Sequence, residues 1–211
     1  MNTDIEIVTG FLGSGKTSFI NALVESTLVD NEKVLIIQCE RGLREIQKTI
    51  IEDKRVKIKL YDAEKPLTEE YLKYALTLYR PHRVIIEHNG TRNLIETLNI
   101  FNSKALKKHC KITTIFYISE ASVFNFYLDN MGGFLLPAVE YSNLILINNI
   151  NEVGKEEIDK IHKKIDSINP YAIIIGVKKG ESIKAMVQKE KILEEGFLKK
   201  LRIFFKNIVY R

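Results

Sequence analysis

Near the amino terminus the residues Gly10-Phe11-Leu12-Gly13-Ser14-Gly15-Lys16-Thr17 set glycines, a lysine and a hydroxyl at the spacing G-x-x-x-x-G-K-S/T. The chemistry this serves is the enclosure of a polyphosphate. Phosphate oxygens are crowded and anionic, so a chain that holds them must wrap them in backbone N–H groups. Only glycine lets the backbone come that close and turn that sharply. Gly10, Gly13, Ser14, Gly15 and Ser18 are therefore expected to contact the phosphates, and the helix that follows should begin with its positive dipole end facing them. Lys16 is expected to reach the β and γ phosphates and to stabilise charge in a transition state, and the Thr17 hydroxyl to ligate Mg²⁺. By composition alone the pattern arises in roughly one chain of this length in 150.

A magnesium-dependent site also needs a carboxylate at the end of a core strand. Arg83-Val84-Ile85-Ile86-Glu87-His88-Asn89-Gly90 supplies Glu87 after a buried-type apolar run. Gly90, three residues on, is placed to offer its backbone N–H to a γ-phosphate and to move when that phosphate leaves.

Seven short runs rich in branched aliphatics read as strands: 5–9, 33–38, 55–60, 83–87, 112–118, 143–148 and 171–177. Several are continuous apolar stretches, the texture of strands covered on both faces of a parallel sheet. Helical patterns lie between them at 16–25, 68–78, 121–139 and 154–168. The alternation predicts an α/β fold, a three-layer, doubly wound and mostly parallel sheet spanning residues 1–180. Asn169-Pro170 marks a turn before the last strand. Apolar residues at steps of three and four over 181–211 predict a short, basic, amphipathic helical tail.

The chain has 211 residues, two cysteines and a net charge of +5. The stretch from residue 178 onward carries ten basic and four acidic residues, so the basic surplus belongs to the tail. Nucleic-acid binding by the main body is not expected. Cys39 and Cys110 form no C-x-x-C pair, which argues against a disulfide framework or zinc ribbon. No apolar run approaches 18 residues, so no membrane span is expected, and the amino terminus lacks the pattern of a signal peptide. The expected compartment is the cytoplasm.

The stretch from Val8 through Thr17 to Asn21 resembles the CobW branch of the CobW/HypB/UreG metal-centre GTPases, members of the SIMIBI class of P-loop proteins. These carry a near-identical T-G-F-L-G-x-G-K-T-T sequence. Glu87 and Gly90 match the family's E-x-x-G element. Cys39-Glu40-Arg41-Gly42 stands where the family has N-E-x-G, a loop that contacts magnesium or delivered metal. Asn169-Pro170 resembles a family N-P before a late strand. The resemblance spans roughly residues 4–177 and is tight at the P-loop. It implies Glu40, beside Glu87 and Thr17, as a magnesium ligand, and Glu40 or Glu87 as the group that orients the attacking water.

Three departures from the family pattern matter. Its guanine-reading N-K-x-D is Asn148-Asn149-Ile150-Asn151 here. Asn148 is retained, but Asn151 offers one acceptor and one donor where guanine presents two donors. An unpaired donor in a dry pocket costs about 1–3 kcal/mol, so guanine selectivity is weakened and ATP is admitted beside GTP. The family's C-x-C-C motif is absent between residues 50 and 81, which removes the soft thiolates that select Zn, Co or Ni and leaves Cys39 as a candidate ligand. The family's C-terminal accessory domain is replaced by the short tail.

The expected function is Mg²⁺-dependent binding and slow hydrolysis of GTP or ATP, as a metallocentre assembly or metallochaperone-type switch acting as a homodimer or on a client metalloenzyme. The competing readings are a P-loop ATPase or kinase-like transferase without a metal role, and a nucleotide-binding module with little hydrolysis.

Overall fold

The computed structural model of the chain describes residues 2–40, 42 and 44–183. Within them seven strands form one sheet: β1 (Thr3–Thr9), β2 (Val34–Gln38), β3 (Val56–Leu60), β4 (Arg83–Glu87), β5 (Cys110–Glu120), β6 (Leu144–Asn148) and β7 (Ile173–Val177). Their order is β3-β2-β4-β1-β5-β6-β7, and every pairing is parallel. Parallel neighbours cannot be joined by tight hairpins, so each connection must cross a face of the sheet. The crossings are made by α1 (Lys16–Thr27), α2 (Lys48–Ile51), α3 (Glu69–Tyr79), α4 (Leu94–Phe101), α5 (Ala121–Asn130), α6 (Gly132–Glu140) and α7 (Lys155–Ile168).

The two-residue period of a strand sorts the apolar runs onto two faces. Ile36, Ile85, Phe116 and Leu146 point to one, where Phe19, Ile20, Leu23 and Val24 of α1 cover them together with Ile46 and Ile50. Ile7, Ile37, Ile86 and Tyr117 point to the other, beneath Leu72 of α3, Phe101 of α4, Phe124 of α5, Val139 of α6 and Ile165 of α7. The three-layer, doubly wound α/β architecture expected from the alternation is therefore present, and the sheet is wholly parallel among the described residues.

The elements differ from the sequence expectation in three places. The single helix expected over 121–139 is two, α5 and α6, broken at Met131, whose φ and ψ are −128° and 29°. Two consecutive glycines follow this break, and glycine is a poor helix former. The strand expected to begin at residue 112 begins at Cys110, since Thr3 pairs with Cys110 across the sheet. Helices α2 and α4 were not foreseen. The start of α4 carries a signal that could have revealed it: the Asn93 side chain accepts a hydrogen bond from the Ile95 N–H at 2.9 Å, with Glu96 in the first turn. The amphipathic tail lies, from residue 184 on, outside the described residues. Ile183, just before them, packs partly against the α1 side of the core.

Asn169 does more than mark a turn. Its Nδ2 lies 2.9, 2.9 and 2.8 Å from the carbonyl oxygens of Val139, Glu140 and Ser142, and its Oδ1 accepts from the Tyr171 N–H at 3.2 Å. One buried amide thus ties the end of α7 to the end of α6 and the entry of β6. Truncation would strand buried carbonyls, at a cost of about 1–3 kcal/mol. Asn169→Ala is accordingly expected to lower the urea midpoint by the equivalent of ~2 kcal/mol, with the denaturant slope unchanged; an unshifted midpoint would contradict this account of the clamp.

Candidate functional site

The site is built where three adjacent strands end together. In the sheet register Val8 of β1 and Gln38 of β2 both lie opposite Glu87, the last residue of β4. The segments leaving these strands, residues 10–17, 39–40 and 88–90, therefore emerge side by side at one edge. Strand β1 also lies between β4 and β5, where the winding of the sheet reverses, the place at which open α/β sheets leave a crevice beyond their carboxyl ends.

Residues 10–15 turn through conformations that L side chains rarely adopt. Gly10, Gly13 and Gly15 have φ of +144°, +84° and +102°. Space makes the same demand. A Cβ on Gly10 would lie 2.1 Å from the Ile118 carbonyl oxygen, and one on Gly90 would lie 2.1 Å from the Gly10 carbonyl oxygen. The backbones following β1 and β4 and the backbone near the end of β5 thus stack with no room for a methyl group. Gly15 caps α1, and a Cβ there would meet the Asn148 amide nitrogen at 2.7 Å. That amide is already engaged, donating to the Ser14 carbonyl at 2.6 Å. The loop is thereby fixed from the far side by the end of β6.

A cavity of about 170 Å³ opens above the first turn of α1, lined by Gly13, Gly15, Lys16, Thr17, Ser18, Glu40, Gly42, Arg44 and Glu87. Lys16 is buried within it. Its Nζ lies 2.5 Å from Glu40 Oε1 and donates to the carbonyls of Gly10 and Phe11 at 2.7 and 2.8 Å. The Thr17 hydroxyl donates to Glu87 Oε1 at 2.5 Å, and the Gln38 side-chain amide donates to Glu87 Oε2 at 2.6 Å. The Ser14 hydroxyl is buried without a hydrogen-bond partner. Burial holds the Glu40 carboxyl above its ordinary pKa, with Lys16 opposing that shift and Glu87 adding to it.

The arrangement suits a polyphosphate with a hard cation. A glycine-built loop, a helix amino terminus and a lysine converge on one small cavity, and all favour an anion. Thr17 Oγ1 and the Glu87 carboxylate, in contact with each other, form an all-oxygen donor pair of the kind that suits Mg²⁺. Seven of the residues expected in the site, Gly13, Gly15, Lys16, Thr17, Ser18, Glu40 and Glu87, line this cavity; Gly10, bonded to Lys16, Ser14 of the same loop, and Gly90, packed on Gly10, lie behind it. Glu40 faces Lys16 rather than the Thr17–Glu87 pair. Asn148 touches the loop from behind. Asn151 is exposed, and its Oδ1 accepts from the Lys179 N–H at 2.6 Å.

Cys39 is buried, and its thiol is pushed up to about 12 by burial and by the charges of Glu87 and Glu40. No group of three or more His, Cys, Asp or Glu able to hold a metal occurs among the described residues. His88 is also buried, its ring nitrogens each 3.1 Å from the hydroxyls of Thr9 and Thr97, and burial pulls it down to about 4. It is a neutral structural bridge between β1 and α4. Three contributors escaped the sequence reading. Gln38 holds Glu87, Arg44 lines the cavity, and Asn21 pins the segment after β2, donating to the Glu45 carbonyl at 3.1 Å and accepting from the Gln47 N–H at 3.0 Å. Of these only Asn21 had a signal, its place four residues after Thr17 in the resemblance.

Two outcomes follow from this geometry. Gly90→Ala drives a methyl into the Gly10 backbone, and overpacking of this kind costs about 1–3 kcal/mol; thermal denaturation should show it, and a melting temperature equal to that of the parent would refute the contact. Both cysteines, buried and protonated at neutral pH, are expected to react with a disulfide reagent far more slowly in the native protein than in urea. Rapid native labelling would mean that Cys39 is an accessible thiolate.

The sequence profile of the CobW/HypB/UreG nucleotide-binding domain matches residues 4–176. No curated protein matches the chain. Among solved structures, the hydrogenase maturation factor HypB from Archaeoglobus fulgidus superposes with a TM-score of 0.58 at 18% identity, covering 93% of this chain and 90% of that one. The Zn(II)-bound YjiA GTPase from E. coli gives 0.56 at 19%, covering 82% of this chain. HypB from Helicobacter pylori in complex with nickel gives 0.54 at 11%, covering 92% of this chain and 87% of that one. The present chain spans 57% of the length of the YjiA structure. At these identities the likeness is one of fold. No helix among the described residues is long and apolar enough to cross a membrane.

Proposed function

We propose, for a chain that belongs to the CobW/HypB/UreG nucleotide-binding family, that it binds a purine nucleoside triphosphate with Mg²⁺ and hydrolyses it slowly, as the switch of a metallocentre assembly factor in the cytoplasm. The observation that carries this reading is the Thr17–Glu87 contact at 2.5 Å beside a loop whose Gly10 has no room for a Cβ. Thr17 and Glu87 would hold Mg²⁺, which supplies charge neutralisation at the phosphates. The loop amides and Lys16 bind the phosphate chain and stabilise the charge that develops on its oxygens. Gln38 keeps the Glu87 carboxylate in place. Glu87, fixed beside Thr17 by Gln38, is the carboxylate that stays at the site to orient the attacking water.

GTP is the family's substrate, but the base-reading residues favour relaxed selectivity. Asn151 replaces a carboxylate, and its Oδ1 is occupied by the Lys179 backbone. ATP is therefore proposed as an accepted alternative. A metal role, for which Zn, Ni and Co are the ions to test, is proposed as one exercised on a client or across a homodimer. Cys39, buried and protonated, has no cluster of further ligands around it among the described residues.

Titration with fluorescent GTP, ATP and XTP in Mg²⁺ tests this reading. Saturable binding of GTP is expected, with ATP within about tenfold of it, because one lost hydrogen bond corresponds to roughly that factor. Lys16→Ala should weaken binding at least about a hundredfold, as expected for a charge-assisted contact worth ~3 kcal/mol. Phosphate release should be slow and should require Mg²⁺. A parent protein that binds none of the three triphosphates would end the proposal.

A further inference from the structure

We infer that Glu40 is a tethered competitor for the γ-phosphate, a specificity residue that lets the site take a nucleoside diphosphate directly but admits a triphosphate only when the carboxylate is expelled. The inference rests on the nucleotide reading of the site given above.

The argument begins with a count of donors. A lysine ammonium has three N–H groups. In Lys16 all three have partners: Glu40 Oε1 at 2.5 Å, the Gly10 carbonyl at 2.7 Å and the Phe11 carbonyl at 2.8 Å. None is left for a phosphate oxygen. The two carbonyls belong to the loop itself, so the partner an incoming anion replaces most simply is the carboxylate, which has the same charge sign and the same kind of acceptor oxygen. The second donor expected for a γ-phosphate, the Gly90 N–H, also favours the charged form of Glu40. One anionic side chain thus occupies the lysine that a terminal phosphate needs and draws on the second donor as well. It is buried in doing so, at 8% exposure against 2% for Lys16. The loop amides around Gly13 and Gly15, which would hold a diphosphate, are not among the groups that Glu40 engages.

The expelled side chain has somewhere to go. Glu40 also lines a wider groove of about 640 Å³ with Leu12, Leu60, Tyr61 and Asn89. Among the described residues after it, Glu45 and Gln47 are anchored through Asn21. A turn of the Glu40 side chain alone breaks no bond within α1 or the sheet. Competition of this kind has a simple arithmetic. A ligand that binds only the open form has its affinity reduced by the fraction of molecules that are open. If Glu40 occupies the site in about nine molecules of ten, triphosphate binding is weakened about tenfold, while a diphosphate that tolerates the carboxylate loses nothing.

Binding of GDP and of the non-hydrolysable analogue GMPPNP, measured by calorimetry on the full chain with Mg²⁺, tests the inference without any hydrolytic step. Glu40→Gln removes the charge and keeps the shape, and it is expected to tighten GMPPNP about tenfold or more and to leave GDP within about threefold of the parent. Glu40→Asp keeps the charge but draws it back by one methylene, so it should shift GMPPNP in the same direction and guards against a folding defect in the first variant. Equal shifts for both nucleotides, or a weaker GMPPNP in both variants, would overturn the competitor role and leave the nucleotide reading standing. A parent protein that binds neither nucleotide would overturn both.

Discussion

The site depends on backbones approaching one another more closely than any side chain permits. Gly90 rests on the Gly10 carbonyl, and Gly10 on the Ile118 carbonyl, each at a distance where a methyl group would overlap an oxygen. This contact line runs across the carboxyl ends of β4, β1 and β5, and it decides where the loop of residues 10–15 can lie. The positive φ angles of Gly10, Gly13 and Gly15 then aim the loop around a small cavity rather than across it. The positions of Lys16 and Thr17 follow, because both belong to the first turn of a helix whose start is set by Gly15.

The cavity is polar, buried and densely paired, and its charges are arranged in two couples. Thr17, Glu87 and Gln38 form one chain of hydrogen bonds linking α1, β4 and β2. Lys16 and Glu40 form the other, linking α1 to the segment after β2. The first keeps a buried carboxylate still. The second joins two charges that each lose water by being there, and pairing of this sort is costly to break on one side only. Occupation by a phosphate exchanges one anion for another and so keeps the lysine compensated throughout.

Much of the architecture could be read from the chain because the strands carry continuous runs of branched aliphatics and the glycine loop has a spacing with few rivals. Ile36, Ile85 and Leu146 needed no other information to be placed in a two-sided sheet. The sequence pattern misses the elements set by single residues: the Asn93 cap that starts α4, and the Met131-Gly132 break, with two glycines, that separates α5 from α6. At the site, Lys16, Thr17, Glu87 and Gly90 were legible in the chain through the spacing of the glycine loop and of the E-x-x-G element, whose segments the sheet register brings together. Gln38 was not, since a glutamine at the end of a strand has no pattern of its own. Nor was the partnership of Glu40 with Lys16, which arises from the adjacency of β2 and β4 and not from any spacing along the chain.

The amide of Asn148 fastens the loop through the Ser14 carbonyl across a separation of 134 residues. Its consequence concerns the order of synthesis. The ribosome delivers the glycine loop first, yet β1 acquires its flanking strands only when β4 and β5 have been made, and the fastening arrives with the end of β6. A nascent chain shorter than this carries the whole signature sequence without a rigid cradle. Completion of the cradle during translation is thus postponed until the end of β6 has left the exit tunnel.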